Sequence, residues 1–114
     1  MTDKELLTLA AKAAGYEGID FENNVDGWYP NFYGDTGEVV AYWNPLTDDG
    51  DALRLAVKLN IDMRFDAFSD GAVVLTECVW KPAGMEFEYL NNDPFAATRR
   101  AIVRAAAKIG RGME

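Results

Sequence analysis

The chain contains no histidine in its 114 residues. That absence removes the commonest general base near neutral pH, the Ser–His and Cys–His nucleophile pairs, and every metal site that depends on imidazole. A single cysteine, Cys78, excludes an intramolecular disulfide and a zinc site built on several thiolates, and it suits a reducing compartment. Cys78 stands in the apolar run from Val73 to Trp80 and reads as a small buried hydrophobe rather than a reactive thiol. No stretch approaches the roughly 20 apolar residues of a membrane span. The opening Met1-Thr2-Asp3-Lys4-Glu5 lacks the cationic start and apolar core of a signal peptide. The expectation is a cytoplasmic protein with no membrane association, no cofactor and no metal.

Positive charge is scarce and unevenly placed. The net charge is −8. Residues 1–94 carry 6 Lys/Arg against 18 Asp/Glu, a balance of −12, whereas residues 95–114 carry 5 against 1, a balance of +4. An acidic body repels phosphate backbones, so general nucleic-acid binding is not expected. Hydrophobic residues make up 49%, enough for one ordinary core, and the length fits a single domain over 1–114.

Three helices and a set of strands follow from patterning. Thr2 and Glu5 form a capping-box pair before an apolar face that includes Leu6, Leu7 and Ala10, with Gly15 as the stop. Residues 16–46 read as two short strands, around Ile19–Phe21 and Glu38–Trp43, flanking a turn-rich aromatic loop. A helix over about 48–60, capped by Thr47 or Asp48, is apolar on most sides and is expected to be buried against a sheet. Ile61, Met63, Phe65 and Ala67 alternate with polar residues, and Asp70-Gly71 turns the chain into Val73–Trp80. Met85–Tyr89 alternates again. The last helix has Asp93 as N-cap, Pro94 at its first position, Gly110 past its end, and Phe95, Thr98, Ile102, Ala105, Ala106 and Ile109 as its inner stripe.

The order is α-β-β-α-β-β-β-α. Adjacent hairpin strands exclude a simple doubly wound sheet and favour an α+β fold with a mainly antiparallel sheet of about four to five strands. Strand 73–80 is apolar on both faces, so it is expected to be covered on both sides by the three helices.

Asp48-Asp49-Gly50-Asp51 superficially resembles a calcium loop, but the twelfth position is Leu59 where a glutamate is required. Helix capping is the simpler reading. No pair of glycines stands where a phosphate-cradling loop would need it. Two surface features remain. Trp28, Tyr29, Phe32 and Tyr33 offer aromatic anchors of the kind found at interface hot spots, unless they fold back over the core edge. Arg100, Arg104, Lys108 and Arg111 follow helical spacing with Arg99 beside them, an outward cationic ridge for an acidic or phosphate-bearing partner, or a merely solvated face.

The segments from Trp43 to Leu59 and from Asp93 to Gly110 together resemble a family of small tailed-phage and prophage proteins, the phage ABA sandwich domain. The resemblance implies a sheet sandwiched by helices and a phage origin, and it brings no assigned chemistry. Three functions follow as expectations. The first is a non-enzymatic accessory protein that binds a host or defence macromolecule, or a second copy of itself. The second is a small-anion binder that stacks its ligand on Trp28, Tyr29 or Trp43 while an arginine of the last helix neutralises its charge. The third is a carboxylate- or metal-dependent enzyme, which needs Asp48, Asp49 or Asp51 to meet Glu86 or Glu88 in one cleft.

Overall fold

The structure, a computed structural model, describes residues 2–16, 20–24, 27–33, 39–68, 71–78, 85–91 and 93–113, with backbone alone for 20–24, 27–33 and 39–42. The fold is α+β. The elements run α1 (Asp3–Ala13), β1 (Asp20–Asn24), β2 (Gly27–Tyr33), β3 (Val39–Tyr42), α2 (Asp49–Leu59), β4 (Ile61–Phe68), β5 (Gly71–Cys78), β6 (Glu86–Tyr89) and α3 (Pro94–Gly112). The described strands form two antiparallel three-stranded sheets, ordered β1-β2-β3 and β4-β5-β6, where one sheet of four to five strands was expected.

The difference lies largely in β2. Trp28, Tyr29, Phe32 and Tyr33, expected on a loop, stand on the central strand of the first sheet. Pro30 and Asn31 disfavour a strand. Pro30 nevertheless pairs with Phe21 of β1 and sits one residue outside the β2–β3 ladder, which begins at Asn31↔Tyr42. Its missing N–H therefore falls where β2 has a single neighbour.

Local chemistry sets the helix ends. Thr2 Oγ1 accepts the Glu5 N–H at 3.1 Å, Asp48 Oδ2 accepts that of Asp51 at 2.8 Å, and Asp93 Oδ1 accepts that of Ala96 at 3.0 Å. Each satisfies a donor that the first turn leaves without an intrahelical partner. Gly15 closes α1 at φ +77, with Tyr16 N–H reaching back to Ala11 O, a Schellman ending.

α3 is the hub. It packs against α1, α2 and the second sheet, and Ala101, Ile102, Val103, Ala105, Ala106, Ala107, Ile109 and Gly110 are all buried. Small residues on nearly every side let three neighbours approach one helix closely. The main core joins Leu6, Leu7 and Ala10 of α1, Leu55 and Ala56 of α2, Ile102 and Val103 of α3, Trp43 and Ile61.

Three expectations about packing are corrected. Phe95 is not on the inner stripe but 68% exposed, because α3 begins beyond the elements that cover its later turns. α2 buries Ala52, Leu55 and Ala56 but exposes Leu53 and Val57, since among the described residues it lies against α3 and the start of β4 rather than under a sheet. Gly110 does not follow α3 but lies inside it, and the helix runs on to Gly112.

Candidate functional site

The register of β4-β5-β6 sorts its side chains into two faces. Met63, Val74, Thr76, Glu86 and Glu88 share the α3 face, where Thr76 Oγ1 donates to Ala101 O at 2.8 Å. Phe68, Val73, Leu75, Phe87 and Tyr89 share the opposite face.

On the α3 face, the cationic row expected to point outward meets a carboxylate row instead. Arg104 Nη2 lies 2.7 Å from Glu86 Oε2 and its Nη1 lies 3.2 Å from Glu88 Oε1. Lys108 Nζ is 3.1 Å from Glu86 Oε1. Arg100 reaches Glu88 at 3.5 Å and Asp3 of α1 at 3.2 Å, while Arg104 Nη1 donates to Phe87 O at 3.1 Å. The rows match in pitch: four helical residues advance about 6 Å, and two strand residues about 7 Å. Glu86 is 11% exposed at its side chain, so two cations hold a nearly buried carboxylate.

Above this ladder opens a groove of about 360 Å3 between α1, β6 and α3. Arg100, Arg104, Lys108 and Arg111 line it together with Glu86 and Glu88. Leu6 and Ala107 give it an apolar wall. None of Asp48, Asp49 and Asp51 is among the lining residues.

Arg99 leaves the row and does a different job. Its Nε donates to Leu46 O at 2.9 Å and its Nη1 pairs with Asp49 at 2.6 Å, tying α3 to the start of α2. The Asp48–Asp51 segment is a helix start. Asp48 caps it, Asp49 holds Arg99, and Asp51 accepts the Asn44 N–H at 2.9 Å and pairs with Arg54.

On the opposite face of the sheet, Phe68, Phe87 and Tyr89 are about half exposed, and Phe87 and Tyr89 meet edge to face with centroids 5.7 Å apart. Val73 between them and β4 is buried. The expected second cover on this side is not made among the described residues.

Of the residues singled out from sequence, Arg100, Arg104 and Lys108 come together, and Arg99 stands apart. The side chains of Trp28, Tyr29, Phe32 and Tyr33 lie outside the described residues. Trp43 is buried in the core against Tyr16, so no ligand stacks on it. Sequence reading named Glu86 and Glu88 only as carboxylates for a cleft with Asp48, Asp49 or Asp51, not as partners of the last helix, and it missed Phe87 and Tyr89 as site residues. The available signal was the alternation of Met85–Tyr89, which puts both glutamates on one face and both rings on the other.

Against known families, curated proteins and solved structures, the chain has no match. Among the described residues, no helix is long and apolar enough to cross a membrane.

Proposed function

We propose that the chain is a non-enzymatic binding domain that engages another protein through the open face of β4-β5-β6. One observation carries this reading: Phe68, Phe87 and Tyr89 stand exposed on one sheet face beyond what the core requires. Exposed aromatic clusters of this kind mark interaction surfaces, and aromatic rings supply much of the energy at interface hot spots. The acidic charge balance favours a partner with a cationic rim, which steers association more than it fixes affinity.

The resemblance to the phage ABA sandwich domain supports the reading of a phage or prophage accessory factor that acts in the bacterial cytoplasm on a host or defence protein. A sandwich needs a sheet covered on both sides. α3 covers one face of β4-β5-β6 over β5 and β6, leaving Phe65 of β4 exposed on that side, and in this reading the bound partner covers the other face.

The test is quantitative capture from bacterial lysate by the wild-type chain and by a Phe87→Ser/Tyr89→Ser variant that melts normally. The reading expects a protein retained by the first and lost by the second. Identical retention by both would refute it.

A further inference from the structure

We propose that the groove between α1, β6 and α3 is a binding site for a small ligand carrying an oxyanion, a phosphoryl or a carboxylate group. It lies on the α3 side of the sheet, so its fate is independent of the protein-binding face.

Charge is the first argument. The groove gathers Arg100, Arg104, Lys108 and Arg111 against Glu86 and Glu88, with Asp3 bonded to Arg100 at its rim. Among the described residues at this groove the cations Arg100, Arg104 and Lys108 stay more open at their side chains than Glu86 and Glu88, which keep 11% and 25%, so an incoming ligand meets N–H donors ahead of those two carboxylates. A ligand drawn here is therefore anionic, and a metal cation is disfavoured.

Access and preorganisation are the second. The Arg100, Arg104 and Lys108 side chains keep 43%, 36% and 40% of their surface open. A guanidinium has five N–H donors and an ammonium three. The contacts of Arg104 with Glu86, Glu88 and Phe87 O are made by Nη1 and Nη2, which leaves its Nε–H. Those of Arg100 with Asp3 and Glu88 are made by Nη1 and Nε, which leaves Nη2. Lys108 meets Glu86 at a single oxygen. The glutamates thus hold the cations in place without using all their donors. An oxyanion gains charge-assisted hydrogen bonds without first having to order long side chains.

Shape is the third. A groove of about 360 Å3 suits a small molecule. Among the described residues no aromatic lines it, and the contacts they offer are the charged groups and a short apolar patch of Leu6 and Ala107.

The experiment titrates inorganic phosphate and, separately, succinate into the isotopically labelled chain at low salt, following the arginine Nε–H resonances by NMR. Saturable shifts at Arg100 and Arg104 are expected for one or both probes, with affinity falling at least about tenfold in an Arg100→Gln/Arg111→Gln variant. Lys108→Gln serves the same purpose should the double variant not fold. Saturation by phosphate alone assigns a phosphoryl ligand, by succinate alone a carboxylate, and by both a site reading charge only. Shifts that never saturate, or that saturate equally in the variants, overturn the proposal.

Discussion

Gly110 of α3 lies directly against the backbone of Leu9 in α1: a Cβ placed on Gly110 would overlap the Leu9 carbonyl. The two helices cross so closely that only hydrogen fits between them. The overlapped atoms belong to a helix backbone, which has no rotamer by which to retreat.

Gly110→Ala is therefore expected to lower stability by about 2 kcal/mol, overpacking outweighing the roughly 1 kcal/mol that alanine gains over glycine in a helix. Gly112→Ala is the control, because nothing lies within 4 Å of a Cβ there. It should be neutral or stabilising by a few tenths of a kcal/mol, near a fraying helix end. Urea denaturation of the two variants separates close packing from helix propensity. Equal stability in both would remove the tight crossing.

Burial along α3 gives a second contrast. Ile102 is buried in the core shared with α1 and α2, whereas Phe95 is exposed in the first turn. Ile102→Asp should cost about 3 kcal/mol or more, the penalty of an unpaired charge in an apolar site. Phe95→Asp should stay within about 0.5 kcal/mol. Thermal melts of the pair decide whether α3 is docked as described, and a stable Ile102→Asp variant would show that it is not.

What was legible in the sequence is what local chemistry writes there. Asp48, Asp93 and Thr2 cap helices because their side chains reach backbone donors three residues on, a distance that the sequence itself specifies. The β4-β5 hairpin was legible from its alternation and from Gly71, whose φ of +141 a residue with a side chain rarely adopts. What was not legible depends on what an element meets. Helical spacing places Arg100, Arg104 and Lys108 in one row but is silent on what faces that row. The answer, Glu86 and Glu88, comes from a strand more than ten residues upstream and reverses the picture of a solvated ridge. β2 was hidden for the opposite reason. Pro30 and Asn31 argue locally against a strand, and pairing with β1 and β3 overrides them.

The ladder between α3 and β6 makes a prediction about unequal ion pairs. Arg104→Ala leaves the nearly buried Glu86 carboxylate with Lys108 as its cation. The loss should be about 3 kcal/mol, since a buried charge stripped of a partner keeps its desolvation penalty. Arg64 and Asp66 pair in the open at 3.7 Å, and Arg64→Ala should change stability by less than about 0.5 kcal/mol. Chemical denaturation of both in moderate salt is the check. A small effect at Arg104 would mean that the ladder decorates the surface without supporting β6.

The acidic start of α2 gives the last prediction, because one segment supports two incompatible readings. As a cation loop, Asp48, Asp49 and Asp51 would turn their oxygens toward a common centre. As a helix start, each carboxylate serves a protein partner, and the bonds follow the second pattern: Asp48 to the Asp51 N–H, Asp49 to Arg99, and Asp51 to the Asn44 N–H and Arg54. A calcium ion would have to displace Arg99, which also holds Leu46 O, and undo the cap that starts the helix. Calcium or magnesium titrated into the protein should therefore give no saturable heat by calorimetry. Asp48→Ala should lower stability by about 1 kcal/mol, the ordinary worth of an N-cap, whether or not the cation is present. A one-site isotherm abolished by Asp49→Ala, together with a melting temperature that rises with calcium only in the wild type, would show that the segment is a metal loop.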